Sequence, residues 1–407
     1  MADFNEKISK VEEMANKNLP EVIIADILSR LPVKSLLRFR CICKLWCALI
    51  IDPDFIKMHL NRSLANNIYL TFIFSDTSLY SIDLNASKEL QVLVKVDHHP
   101  KFVNYATEIV GSCNGLLCLH NTDEEEEDIL LWNPSTKRHH KLPIIPRESP
   151  LTHFNVYGFG YDLTTDDYKV VRVAQPYSKN DYDNFWHSEV NIYSLSTDSW
   201  RRIEDMPFHI NYRHVSGVLA NSALHWVASR ETGPYTESNF ILSFDLQDEE
   251  YREVSLPDFV DEKIHMSIGV LGPQLCLRCK IFTVRVEFWV MKDYGVRESW
   301  TKQFSIEQPP LINSYHIRPI CYSKNGEVMV GMNLEALILY DPVRRRQRSR
   351  NLKVRVSNWI QAEICVGSLV PLNAKDEIEQ SETKKGSTRR KRTGRKPRQQ
   401  YNGNLTW

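Results

Sequence analysis

Cys276-Leu277-Arg278-Cys279 carries two cysteines at the spacing of a metal- or redox-competent pair. Two thiolates at that spacing are half of a four-ligand zinc site, and the other half needs a second pair. The later cysteines, Cys321 and Cys365, are single, and the pair itself falls in an apolar, strand-like stretch, so buried thiols are the expectation. His98-His99 and His139-His140 lack carboxylate or histidine companions at ligand spacing and read as loop histidines. No phosphate-cradling glycine loop, dinucleotide fingerprint or nucleophile elbow is present. These residues imply no catalytic site, no cofactor and no metal, which leaves binding as the chemistry to account for.

Two charge runs bear on binding. Asp123–Asp128, with four consecutive glutamates, lies between apolar stretches at Leu116–Leu119 and Ile129–Trp132 and reads as a solvated hairpin loop, or as a contact for a basic partner. Lys384–Arg398 carries nine basic residues and no acid. Within it, Arg389, Arg390, Lys391 and Arg392 form a candidate nuclear-import signal. Gly394–Arg398 is loosely like a minor-groove hook, with Lys396 interrupting its Arg-Pro pairing, so import, a plain solvated tail and DNA contact stay open in that order. The formal net charge of zero hides this block. Residues 373–407 hold ten basic and four acidic residues, which leaves 41 basic against 47 acidic in the rest of the chain. A mildly acidic body argues against a surface that grips nucleic acid as a whole.

The elements that position these residues differ along the chain. With 407 residues, 42% hydrophobic and 10% aromatic, the composition suits folded domains. No stretch approaches a membrane span, and Met1–Asn18 alternates charge without the apolar core of a secretory signal, so no membrane is expected. Nine cysteines without a regular framework suit a reducing compartment, and a cytoplasmic and nuclear location is expected. From Leu19, apolar residues recur at helical spacing (Ile23, Ile24, Ile27, Leu28, Leu31) until Pro32. A second short helix fits Lys34–Arg40 and a third Cys43–Ile50, before a break at Asp52-Pro53. Apolar residues surround most of the first helix, more than one core face requires, and the surplus points to a partner surface.

Leu19-Pro20, Ile27-Leu-Ser-Arg-Leu-Pro32, Lys34-Ser-Leu36 and Cys41-x-Cys-Lys-x-Trp46 together resemble an F-box, the module that docks the Skp1 adaptor of SCF-type ubiquitin ligases. The resemblance implies that Leu19, Pro20, Ile24, Ile27, Leu31, Pro32, Leu36 and Leu37 lie in or near the Skp1 interface. Trp46 would serve the interface or the packing behind it, and Cys41, Cys43 and Cys47 would be packing residues. Val22 stands where many members carry an acid, a departure expected to matter little.

Past Asn61 the pattern changes to short alternating strands separated by turn residues. An aromatic followed by a turn phrase recurs at Tyr80, Trp132, Tyr193, Phe244, Trp289 and Tyr340, at a period near 50 residues, as in kelch-type propeller blades. Trp200 and Tyr251 follow their phrases by seven residues, which fits a strand, a tight turn and a return strand. The spacing stretches to eleven between Trp289 and Trp300, and Gln347 replaces the aromatic after Tyr340. Six such units close into a ring without sheet edges, which favours a propeller over a pair of β-sandwiches.

The phrases Ser112-Cys-Asn-Gly-Leu-Leu-Cys118, Trp132–Lys137, Gly158–Asp162, Asp167–Val171, Ser196–Trp200, Ile241–Asp245, Glu298–Trp300 and Glu363–Leu369 resemble the F-box-associated domain of a large plant family. The expected organisation is an N-terminal extension at 1–18, a three-helix F-box at 19–60, an all-β kelch-like propeller of about six blades at 61–372 and a disordered basic tail at 373–407. The resemblance implies a non-catalytic substrate receptor, with Skp1, cullin through Skp1 and an unidentified protein substrate as partners. Members that recognise self-incompatibility ribonucleases share this architecture, and the Glu363–Leu369 ending looks closer to defence-repressing members. A nuclear, non-ligase scaffold is the alternative.

Overall fold

In the computed structural model, residues 19–372 are described apart from the segments 67–69, 76–78, 85–93, 96–106, 123–126, 146–152, 177–187, 211–215, 234–235, 261–263, 282–284, 308–316, 324–325, 333–335, 348–351 and 354–360. Residues 1–18, the Asp123–Glu126 acids, His98-His99 and the whole segment 373–407 with Arg389–Arg392 lie outside the described residues.

Four helices come first, not three: α1 (Glu21–Leu28), α2 (Val33–Phe39), α3 (Lys44–Ile51) and α4 (Pro53–Ala65). Pro20 and Pro32 stand at the N-caps of α1 and α2, where a missing backbone N–H costs nothing. The Asp52-Pro53 break proves to be a start. The Asp52 carboxylate accepts from the backbone N–H groups of Asp54 (3.0 Å) and Phe55 (3.2 Å), and Pro53 opens α4. That helix continues to Ala65, beyond the point at which strands were expected.

Strands then build six four- or five-stranded antiparallel sheets, each a propeller blade. The second blade runs Thr107–Cys113, Leu116–Thr122, Glu127–Asn133 and Arg138–Lys141 from the ring's centre outward, and the third to sixth repeat the plan. The first blade is completed from the far end of the chain. Its innermost strand is Gln361–Val366, paired in register with Leu70–Ser75 from Leu70↔Val366 to Ser75↔Gln361. Sequence-distant strands therefore close the ring, and every innermost strand has neighbours on both sides.

Each recurring aromatic phrase marks the third strand of one blade. The turn after it is held by the acid or amide that follows the aromatic. Asn133 Oδ1 accepts from Ser135 and Thr136 N–H, Asp245 Oδ1 from Gln247 N–H, and Asp341 Oδ1 from Val343 and Arg344 N–H. Tyr193 pairs with Trp200, and Phe244 with Tyr251, across these turns. In the fifth blade the partner of Trp300 is Met291, not Trp289, which pairs with Lys302 after a bulge at Phe288/Trp289. The stretched spacing is thus a two-residue offset of the phrase plus a turn two residues longer than in the third and fourth blades. Two outer aromatics fasten the third and fifth blades to the blades before them: the indole N–H groups of Trp200 and Trp300 donate to the carbonyls of Pro143 (2.8 Å) and Ser255 (2.9 Å).

Cys276 and Cys279 are buried thiols, as expected, and their odd separation sends them to opposite sheet faces, into different inter-blade cores. Burial pushes both up to about 12. His139-His140 lies in the outer strand of the second blade, not in a loop, and His140 Nε2 sits 2.8 Å from Asp198 of the third.

Candidate functional site

The helical module presents an apolar face on a short, firmly held helix. α1 turns Ile24 and Leu28 inward, where they join Val33, Leu36, Ile50 and Phe55. Its other side leaves Leu19 47%, Val22 80%, Ile23 44% and Ile27 48% exposed. Leu19, Ile23 and Ile27 are spaced four apart and form one stripe, which Val22 widens. Pro32 beyond α1 is exposed, Leu31 and Leu37 are half-buried, and half-buried Trp46 packs its ring against Phe39 at 5.5 Å.

Not all of the expected interface residues share that face. Leu36 is fully buried and Ile24 nearly so, because their positions on α1 and α2 point at α3 and α4. They pack behind the exposed stripe. Val22 and Ile23 stand at the surface instead, and Val22 adds apolar area to that stripe. Cys41 is exposed and so is not a packing residue, whereas the Cys43 sulfur caps α3, accepting from Trp46 N–H at 3.5 Å.

α4 holds α1 from below. His59 is buried and donates from Nε2 to the Leu31 carbonyl at 3.0 Å, and burial keeps its imidazole below the usual histidine range. Arg62 reaches the Asp26 carboxylate (2.8 Å) and carbonyl (3.1 Å), and Arg30 takes the other carboxylate oxygen at 2.8 Å. Those two guanidinium groups lower the Asp26 carboxyl.

The same helix fixes the module to the ring. Ile56 and Leu60 enter a core with Val110, Leu116, Phe159 and Tyr168 of the second and third blades, and Lys57 pairs with Asp166 in a third-blade turn. Residues 367–372, leaving the closing strand, run between module and ring. Leu369 joins the helical core while Val370 and Leu372 join the propeller core. Asn133 Nδ2 donates to the carbonyls of Ser368 (3.2 Å) and Val370 (2.9 Å). No local pattern announces this strap, because its partners lie more than 200 residues away.

The module therefore sits against the turns that join the first strand to the second, and the third to the fourth, within the second and third blades. The opposite, far face of the ring carries the blade-to-blade connections and the links from second to third strands. Among these are the stretches between Lys141 and His153 and between Pro176 and Glu189.

Family comparisons agree with both halves. The F-box domain model matches residues 17–58 and the F-box associated beta propeller domain model matches residues 70–370. The F-box protein CPR1 of Arabidopsis thaliana is 37% identical over 374 residues, covering 86% of this chain and 88% of that protein. The F-box protein At4g22390 of the same plant is 30% identical over 369 residues (86% and 90%). The F-box protein At3g07870, also from that plant, is 28% identical over 403 residues (87% and 92%).

Proposed function

Because the chain belongs to the F-box proteins that carry an F-box-associated β-propeller, we propose that it is a substrate receptor of an SCF-type ubiquitin ligase, with the far face of the propeller as its substrate surface. An F-box implies a Skp1-type adaptor as partner, and proteins of this family are typically adaptors rather than catalysts. The observation that carries the reading is the exposed stripe Leu19, Val22, Ile23 and Ile27 on a helix locked to the ring by α4 and the 367–372 strap.

Rigidity matters to the mechanism. An adaptor on α1 and a substrate on the far face are held at a set separation, which raises the effective concentration of a substrate lysine at the ubiquitin-charged enzyme. Acceleration by this route requires no reacting side chain here. The Glu363–Leu369 ending favours a defence-linked substrate over a self-incompatibility ribonuclease. The Arg389–Arg392 cluster favours nuclear entry in addition to a cytoplasmic pool.

Replacing Ile23 and Ile27 together with glutamate tests the docking half. Both are surface positions, so the thermal midpoint should hold while Skp1 co-purification is lost; undiminished co-purification overturns the assignment. Deleting Lys384–Arg398 should lower the nuclear share of a tagged protein, and an unchanged distribution removes the import reading.

A further inference from the structure

The far end of the second blade is where the chain gathers its acids. From Phe102 to Thr136 the sequence holds seven acidic residues and no lysine or arginine. Six of them, Asp123–Asp128, run from the link after the second strand into the third, and the seventh, Glu108, lies on the innermost strand. Strand pairing sets Glu108 opposite His120 and Asp128 opposite Asn121, on either side of the second strand (Leu116–Thr122). A run of acids alone names no ligand, since most such runs are simply solvated. The two residues that they flank are more informative.

His120 and Asn121 are 7% and 6% exposed, and each keeps a buried polar atom without a hydrogen-bond partner: Nε2 of His120 and Oδ1 of Asn121. They point to opposite faces of the sheet. His120 turns toward the third blade, its ring 4.7 Å from that of Tyr157, and Asn121 lies on the side of Leu117 and Leu119, which pack against the first blade. The Glu108 carboxylate stands 3.7 Å from His120 Nδ1 and favours a proton there in the neutral ring, which leaves Nε2 as an acceptor. Asn121 Oδ1 can only accept. A buried acceptor left without a donor is costly, and the donors that also answer the acids are ammonium and guanidinium groups. Lys141, 2.6 Å from Asp128, already seats one ammonium at this end of the blade. Among the described residues no three of His, Cys, Asp and Glu converge as ligands for a metal ion. Two acceptors on opposite faces of one strand suit charges spaced along a chain better than a single ion.

We propose that this end of the second blade is a docking site for a lysine- and arginine-rich segment, and, resting on the substrate-receptor reading, that the segment belongs to the captured protein. Its cationic side chains donate to His120 Nε2 and Asn121 Oδ1, while Glu108 and Asp128 supply the negative field that draws it in. The far-face position puts the site on the substrate side of the ring. A receptor built this way selects proteins that display a basic stretch and loses them when that charge is masked.

The test uses the full chain co-purified with its Skp1-type adaptor. A degenerate pool of lysine-rich peptides and the same pool acetylated on lysine serve as probes, with calcium ion alongside. The unacetylated pool should be retained about tenfold better at low salt, the gain of one charge-assisted hydrogen bond, and the margin should shrink as salt rises. Glu108→Gln combined with Asp128→Asn, which keeps shape and removes charge, should abolish that margin. His120→Phe, which keeps a ring against Tyr157 and deletes Nε2, should remove part of it without lowering the melting point, since the lost atom has no partner. If it does melt lower, Asn121→Leu, of matched shape, is the variant on which the partial loss is judged. Equal retention of the two pools overturns the proposal, as does a margin that survives the double variant. A margin lost in the double variant yet untouched by His120→Phe and Asn121→Leu marks a diffuse acidic field and also overturns it. Calcium raising the melting point with no peptide margin means a metal site and overturns it too. In the reconstituted ligase, a captured protein ubiquitinated equally by the parent and by the double variant leaves the receptor reading intact while this one falls. A parent chain that ubiquitinates no captured protein defeats the receptor reading itself.

Discussion

The two faces of the propeller follow different rules. On the face toward the helical module, connections are short and their backbone is exacting. Every described residue with positive φ lies in one of these turns, including Asn114, Gly115, Asp166, Asp198, Asn221, Gly272 and Arg345. Side chains of Asn133, Asp162, Asp245 and Asp341 close four of these turns on the backbone, and three of the turns, at Gly115, Asn133 and Asp166, meet α4 or the strap. On the far face the links between Lys141 and His153 and between Pro176 and Glu189 span eleven and twelve residues. The first face spends its sequence on being one shape, and the second is free to vary in length and composition, as surfaces that choose partners are.

Substitutions can break that contrast, beginning with Gly115. It has φ +82°, and a Cβ there would stand 2.3 Å from the Ser368 side chain and 2.6 Å from the Val366 carbonyl. Gly115→Val should cost about 4 kcal/mol or prevent folding, combining left-handed strain with a clash against the strap; near-parental denaturant midpoints would show that this face is not rigid.

The second expected effect is in pH. His225 lies in the second strand of the fourth blade with Nδ1 3.1 Å from the Val218 carbonyl and Nε2 2.7 Å from the Tyr294 hydroxyl, and burial holds it down to about 4. The unfolded chain takes up this proton near pH 6.5 and the folded chain does not. Its contribution is therefore complete above about 6.5 and drains away as pH falls toward 4, by about 3 kcal/mol in all. His59 acts in the same direction. Urea unfolding at several pH values should show this slope, and His225→Gln should flatten it.

Asn133→Ala comes third, at about 2 kcal/mol, because it removes two bonds to the strap and two within its own turn at a fully buried site. The smallest effect belongs to the far face. Ile144→Ser, at a position 79% exposed between the second and third blades, should move stability by less than about 0.5 kcal/mol, and a larger loss would mean that this face, too, is built for stability.

What was legible in the sequence follows from the range of each signal. The α1 stripe, the Pro32 stop and the six aromatic phrases are local, and they located the module and one strand of every blade. Asp52-Pro53 carried a helix-start signal, an acid cap before a proline, that also reads as a break, so α4 went unseen. Ile24 and Leu36 match the docking pattern in type, but only the crossing of four helices decides which way each points. Met291 displaced Trp289 from the repeat because the turn between Met291 and Trp300 is longer than its counterparts, and turn length is set by local geometry that the aromatic pattern does not record. The closing strand and the strap depend on residues more than 200 positions apart, and no window along the chain contains them.

The strap also sets an order of events during synthesis. Leu369, a core residue of the helical module, leaves the ribosome after 299 residues from the first propeller strand onward have been made, and the strand before it closes the ring. Until then the module lacks part of its core and the first blade lacks its innermost strand. A chain cut short by a premature stop would therefore carry the Leu19–Ile27 stripe without a fixed relation to any far face. It could occupy adaptors without delivering substrate, so the last dozen residues of the ring act as a completion check on the whole receptor.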